Sequence, residues 1–114
     1  MAKRFLFKLD PVLRVRKIRE NEKMRDFAVA QQALNAKLQE IEEVTQRMEE
    51  GRKDLAQLQL KNMKPEHVRF QKQFLYGCEL RLQLLKKEAG ELAEVAGQKQ
   101  ALLVQASQKR QVMD

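Results

Sequence analysis

The side chains that could carry out chemistry in this chain are few. His67 is the only histidine, Cys78 is the only cysteine, and hydroxyl groups are limited to Thr45, Tyr76 and Ser107. Acid–base and nucleophilic catalysis need several such groups within hydrogen-bond reach of one another. No Gly-rich phosphate-binding loop is present either. The sequence therefore predicts a protein that is not an enzyme and that uses no cofactor or small-molecule substrate.

Carboxylates are plentiful, but their spacing favours a solvated helix surface over a metal site. Neighbours such as Glu42 and Glu43 do not face each other on a helix. Glu88, Glu91 and Glu94 follow one another at helical turns, yet no histidine accompanies them. We therefore predict no metal site.

Residue types and spacing predict long helices that pack on each other. The helix formers Ala, Leu, Glu, Lys, Gln and Arg dominate, while Gly and Pro together number six and Trp is absent. Apolar residues recur every seven positions, which is the spacing of a coiled-coil seam. The first column is Leu13, Phe27, Leu34, Ile41, Met48 and Leu55, interrupted by Glu20 and supported by Ala30, Val44 and Leu58. The second is Val68, Leu75, Leu82, Ala89, Ala96 and Leu103, partnered by Cys78, Leu85, Leu92, Ala106 and Met113.

Two prolines set the expected ends of these helices. Asp10 and Pro11 form a helix-start signal, and Pro65 interrupts the chain between the two columns. We expect helix one over about 11–62, a turn at 63–65 and helix two over about 66–110. A short connection makes the helices antiparallel neighbours. The predicted fold is all-α, a single antiparallel coiled-coil hairpin over 1–114.

Some residues of helix two have an expected structural role. Cys78 is expected to behave as a small buried apolar residue and His67 as a solvated or capping residue beside the turn. A run of small residues is expected to let the helices approach closely or splay towards the open end. This run consists of Ala89, Gly90, Ala93, Ala96 and Gly97.

A stripe of large apolar residues is expected on the outer side of helix two. Its members follow a helical spacing that places them opposite the Val68 column. An exposed apolar face of this kind is typical of a docking surface. Either a second copy of this chain or a different partner protein could cover the stripe, and the sequence favours the two equally. The stripe consists of Phe70, Gln73, Tyr76, Gly77, Leu80 and Leu84, with Phe74 beside the seam.

Basic side chains are concentrated at the start of the chain. The net charge is +7, and residues 1–25 carry nine basic and three acidic side chains. Such a basic segment favours an anionic partner. The alternatives are a solvated helix end, a negatively lined protein cavity, and nucleic acid, against which the lack of interleaved aromatic residues counts. The candidate binding residues are Arg14, Arg16, Lys17, Arg19 and Lys23.

Two segments resemble a known family. Residues 5–20, FLFKLDPVLRVRKIRE, resemble the start of the flagellar export coiled-coil proteins of the FliJ family, with an L-x-x-V-L-x-x-R-x-x-x-E entry into a long helix. Residues 70–75, FQKQFL, are similar to that family's entry into its second helix. The resemblance covers the whole chain, whose length and missing catalytic residues agree with it.

The resemblance implies a mechanism and a location. The paired chain ends would enter the central hole of the hexameric flagellar export ATPase, with Arg14, Arg16, Lys17, Arg19 and Lys23 as contacts. The apolar stripe would meet the export gate membrane protein or the export chaperones. The protein would be cytoplasmic and peripheral at the inner face of the cell membrane. A virulence secretion stalk and a basic nucleic-acid-binding protein are the alternatives.

Overall fold

Two long helices make up nearly all of the structure. The computed structural model describes the backbone of residues 2–113 and the side chains of residues 10–112. Helix α1 spans Ala2–Leu60 and helix α2 spans Pro65–Met113. Over the backbone that the structure describes, no strand occurs. The helices run antiparallel, which confirms the predicted all-α helical hairpin.

The turn between the helices occupies residues 61–64 and is closed by backbone hydrogen bonds. Asn62 adopts the left-handed conformation, with φ of 50°. The Asn62 amide donates to the carbonyl of Gln59 (3.4 Å), and the Met63 amide donates to the carbonyl of Leu58 (3.1 Å). This pair of bonds is the Schellman ending, and asparagine tolerates the left-handed position better than most residues. The turn therefore starts two residues earlier than expected.

Helix α2 begins at Pro65, close to the expected start. Proline fits the first turn of a helix because the amide that it lacks would have no partner there. The His67 amide donates to the carbonyl of Lys64 (3.0 Å), which closes the first turn. The proline signal was therefore a reliable marker at this end of the turn.

The expected start of α1 is wrong, because Pro11 lies inside the helix. Helix α1 begins at Ala2, upstream of the expected start at Asp10 and Pro11. A capping pair shows where a helix can begin, but Ala2, Lys3 and the residues after them are also good helix formers. Proline inside a helix removes one backbone hydrogen bond. The rest of the helix is retained around it.

The structure divides into two compact units, each built from a segment of α1 and a segment of α2. One unit comprises Asn35–Glu91 and contains the turn. We call it the turn unit, and its core is apolar. Val44, Met48 and Leu85 are buried, with exposed fractions of 4, 6 and 3%. The partly buried residues that pack against them are Ile41, Cys78 and Leu82. This core confirms the predicted seam within the turn unit, and Cys78, which was expected to be buried, is partly buried against it.

One lysine lies in the seam of the turn unit and is held by carboxylates. The side chain of Lys37 is 21% exposed, and its Nζ lies 2.8 Å from Glu88 and 3.9 Å from Glu40. The hydrogen bond to Glu88 raises the pKa of Lys37 above its ordinary value, and the charge of Glu40 adds to the effect. Arg81 joins the group through Glu40, at 3.8 Å. The lysine at this seam position is therefore a paired charge.

The second unit comprises Met1–Leu34 and Leu92–Asp114, and we call it the terminal unit. Its buried core is small, with Ala30 and Ala96 at 9 and 4% exposure. Several seam positions of this unit carry charge and are half-buried. Among them, Glu20 accepts a hydrogen bond from the guanidinium of Arg110. Glu20, which interrupts the apolar column, is therefore the partner of a basic residue on α2.

The small residues of α2 do not all belong to the seam, which corrects the expectation. Ala89 and Ala96 are buried, whereas Gly90, Ala93 and Gly97 are exposed. A Cβ atom added at Gly90 or Gly97 would meet nothing within 4 Å. Close packing inside this chain therefore accounts for Ala89 and Ala96 and not for Gly90, Ala93 or Gly97.

Gly51 and Gly77 are expected to respond differently to replacement by alanine. A Cβ atom at Gly51 would lie 2.9 Å from Cδ2 of Leu75 and 3.1 Å from Nε2 of Gln71, whereas one at Gly77 would meet nothing within 4 Å. Alanine in a helix interior gains about 0.5–1 kcal/mol over glycine. Crowding at Gly51 offsets this gain, by about 1–3 kcal/mol for an overpacked site.

We therefore expect Gly77→Ala to raise the melting temperature and Gly51→Ala to melt below Gly77→Ala. Circular dichroism melts of both variants beside the unmodified chain measure the difference. Equal stabilisation by both substitutions would show that the seam has room at Gly51.

Candidate docking surfaces

Basic side chains from both helices line a groove in the terminal unit. The groove has a volume of about 360 Å³. Its cations are Arg16, Arg19 and Lys23 on α1 and Lys109 on α2. No carboxylate lines it among the described residues. The remaining lining residues are Leu102, Gln105 and Ala106. We call this surface the basic groove, and its charge suits an anionic ligand that also carries an apolar group.

One arginine joins the two walls of the basic groove. Nη1 of Arg16 donates to the backbone carbonyl of Lys109 at 2.7 Å. Because this bond crosses between the helices, it fixes Lys109, near the end of α2, against Arg16, which lies 14 residues after the first residue of α1. Arg110, the next residue on α2, bonds to Glu20 one turn along α1. The groove is therefore positioned by contacts that involve both helices.

The predicted basic residues are not all on one surface. Arg16, Arg19 and Lys23 line the basic groove, whereas Arg14 and Lys17 are exposed and lie outside it. Arg14 lies 3.9 Å from the carboxylate of Asp10, and both side chains are largely exposed. An ion pair of this kind contributes little to stability. Arg14 and Lys17 can therefore contact a partner from outside the basic groove.

Lys109, Gln105 and Leu102 are groove residues that sequence reasoning missed. A weak signal was present, since an antiparallel pairing brings the end of the second helix beside the start of the first. The heptad columns do not tell which residues face each other across the seam. That stagger is set by the turn and by the packing of the core.

The apolar stripe lies on the outer surface of α2, as its spacing predicts. Phe70 and Tyr76 are 70 and 64% exposed, and Leu80 and Leu84 are 49 and 55% exposed. Gln73 is also exposed. Exposed apolar residues are common singly, but a stripe at helical spacing is the arrangement that fits a groove on another protein. Its docking role stays a prediction.

Phe74 borders both the core and the stripe of the turn unit. Its side chain is 42% exposed. With Phe70 it lines a hollow of about 330 Å³ that also includes Gly51 and Gln71. The ring of Phe74 would lie 3.4 Å from a Cβ atom at Gly51. Phe74 therefore extends the apolar stripe towards α1.

The side chains that could take part in catalysis lie far apart in the sequence and are not grouped at one site. Cys78 is half-buried beside the apolar core, and His67 is exposed at the start of α2. Thr45 donates its hydroxyl to the carbonyl of Ile41, one turn earlier (2.7 Å). Within the described residues, no group of three or more His, Cys, Asp or Glu could hold a metal ion. The basic groove and the apolar stripe are therefore the candidate functional surfaces.

Comparison with known proteins gives no family assignment. No protein-family model matches the chain, and no curated protein or solved structure matches it. A search of the described helices for a segment apolar and long enough to cross a membrane also finds none. Function must therefore be argued from the two surfaces.

Proposed function

We propose that this chain is a non-enzymatic adaptor of the bacterial flagellar export apparatus, docking into the ring of the export ATPase through its basic groove. The groove is the observation that carries the proposal. It joins residues 16–23 of α1 to residues 102–109 of α2, and a ligand that takes up both helices of the terminal unit would meet that combination. The lining cations favour a cavity wall that bears carboxylates.

The apolar stripe supplies the second half of the proposal. Anchors such as Phe70, Tyr76 and Leu84 are exposed on the turn unit, apart from the groove residues of the terminal unit. Two separate surfaces allow two partners at once, so the stripe is the proposed contact for the export gate or the export chaperones. Binding to these partners would place the protein in the cytoplasm, as a peripheral protein at the inner face of the cell membrane.

Neutralising the basic residues is expected to remove the effect on the ATPase. In the test variant Arg14, Arg16, Lys17 and Arg19 are changed to glutamine. Each lost contact with a carboxylate costs about 0.2–1 kcal/mol at an exposed site, so four contacts cost about 0.8–4 kcal/mol together. Since about 1.4 kcal/mol is a tenfold change in affinity, binding should weaken between about fourfold and about 700-fold. Stimulation of ATP hydrolysis and of hexamer formation by the purified ATPase are the measurements.

The matched control changes the same amount of charge elsewhere. Lys53, Lys61, Lys64 and Lys72 are exposed residues of the turn unit, and glutamine at all of them lowers the net charge equally. This variant should stimulate the ATPase like the unmodified chain. If both variants lose stimulation alike, net charge and not the basic groove determines binding, and the proposed docking site is wrong.

Two other functions remain as alternatives to flagellar export. A virulence secretion stalk would use the same surfaces, and comparing the two kinds of ATPase in the same assay separates them. A nucleic-acid-binding protein would also use the basic groove, but among the described residues no aromatic side chain lines it. Such binding weakens steeply with salt, with a slope set by the number of phosphates contacted. Titration of single-stranded and duplex probes at several salt concentrations tests it.

A further inference from the structure

An apolar hollow adjoins the basic groove of the terminal unit. Pro11, Val12 and Val15 line this hollow, which has a volume of about 350 Å³. Arg16 and Arg19 line both the hollow and the basic groove, so the two concave surfaces share a wall. Val12 and Val15 are 42 and 47% exposed. The terminal unit therefore presents apolar side chains and cations side by side on one surface.

Acidic side chains are missing from the stretches of sequence that form this surface. Residues 11–19 contain four basic side chains and no acidic one, and residues 95–113 contain three basic side chains and no acidic one. Among the described residues, no carboxylate lines the groove or the hollow. The acidic residues that flank residues 11–19 are each paired, Asp10 with Arg14 and Glu20 with Arg110. The surface as a whole therefore favours an anionic ligand.

We propose that the groove and the hollow together bind the acidic lipids of a membrane. The cations contact lipid phosphates, while Val12, Val15 and Leu102 enter the boundary between the headgroups and the acyl chains. Helices with basic and apolar side chains bind bilayers in this position, and their affinity grows with both the charge and the apolar area. The long stems of lysine and arginine let the charged ends reach the phosphates while the stems cover apolar surface.

An acidic bilayer fits this surface better than a purely ionic ligand does. Nucleic acid or free phosphate would pair with the cations but would leave Val12 and Val15 in water. A bilayer offers anions and apolar groups at adjoining depths, so it can occupy the groove and the hollow at once. The presence of both kinds of side chain is the observation that selects the lipid.

The lipid contact does not depend on the proposed function, although it uses the same groove. A groove filled by lipid is closed to the export ATPase, so the two ligands compete. Vesicle binding is measured with the purified chain alone, without the ATPase. Failure of the lipid proposal therefore leaves the ATPase proposal standing, and the reverse also holds.

Neutralising groove cations tests the ionic part of the lipid contact. The variant carries Arg19→Gln, Lys23→Gln and Lys109→Gln, and it keeps the bond between Arg16 and the backbone carbonyl of Lys109. The unmodified chain should cosediment with vesicles made of equal parts phosphatidylglycerol and phosphatidylcholine, and not with pure phosphatidylcholine. Each cation near an acidic surface contributes about fivefold in binding, equivalent to about 1 kcal/mol, so the variant should bind about a hundredfold more weakly.

A variant with equal charge loss in the turn unit separates the groove from net charge. It carries Lys53→Gln, Lys61→Gln and Lys64→Gln, all at exposed positions outside the terminal unit. This variant should bind the mixed vesicles nearly as well as the unmodified chain. If it loses as much binding as the groove variant, attraction depends on overall charge and the assigned surface is wrong.

Exchanging the valines of the hollow tests the apolar part. Val12→Ser and Val15→Ser together keep a similar helix propensity, since valine and serine differ little in that respect. Moving the exposed halves of two valines out of water is worth about tenfold in binding, and this variant should lose that much. Unchanged binding would show that no side chain enters the bilayer, and would overturn the proposal.

A salt comparison separates the lipid from free phosphate. Sodium phosphate and sodium chloride at equal ionic strength should release the chain from the mixed vesicles to the same extent, because both act by screening. Stronger release by phosphate would instead assign the groove to the free anion. Circular dichroism shows whether each variant stays helical. A folded, unmodified chain that does not bind the mixed vesicles, or binds pure phosphatidylcholine equally well, would also overturn the proposal.

Discussion

Replacing Leu85 by alanine is expected to lower the free energy of unfolding by about 2–4 kcal/mol, the usual cost of removing a buried leucine. Leu85 is 3% exposed and packs with Val44 and Met48 in the core of the turn unit. No described side chain is buried more deeply in the structure. A protein of this size has a net stability of about 5–15 kcal/mol, so the loss is a large part of the total.

The neighbouring leucine provides a control that removes the same atoms from the same helix. Leu84 lies about 100° around α2 from Leu85 and is 55% exposed. Leu84→Ala changes the helix propensity as Leu85→Ala does but opens no cavity, so its effect should stay within about 0.5 kcal/mol. Urea unfolding followed by circular dichroism measures both. If the two variants lose equal stability, the assignment of Leu85 to the buried seam and of Leu84 to the exposed stripe is wrong.

The seam could be predicted because it depends on spacing within one helix. Val44, Met48 and Leu85 belong to sevenfold columns, and such columns place residues on a common face whatever the partner helix is. The outward direction of Phe70 and Leu84 follows from the same spacing. Local periodicity therefore gives both the core of the turn unit and the stripe.

Features that depend on the pairing of the two helices could not be predicted. The basic groove needs Lys109 beside Arg16, and this pairing follows from the stagger of α2 against α1. The bond between Glu20 and Arg110 has the same origin, so Glu20 first appeared as a defect in the apolar column. The upstream extension of α1 beyond Pro11 was missed for another reason, because a capping signal permits a helix start without requiring it.

Polar substitution of the apolar stripe is expected to abolish capture of its partner without unfolding the chain. The variant carries Phe70→Gln, Tyr76→Gln and Leu80→Gln. Large apolar and aromatic anchors at an interface contribute about 2 kcal/mol or more each, so losing them together should weaken binding at least about a hundredfold. Helicity and the unfolding midpoint should barely change, because all three side chains are about half exposed or more.

A leucine outside the stripe controls for the loss of apolar surface in general. Leu60 is 84% exposed at the end of α1, and Leu60→Gln should bind the partner like the unmodified chain. Calorimetric titration against the cytoplasmic part of the export gate, and separately against an export chaperone, measures the affinities. A stripe variant that loses its helicity would instead place these side chains in a core. If the stripe variant is folded and binds both partners normally, the stripe does not have the proposed role. The ATPase assay alone would then test the role of the basic groove.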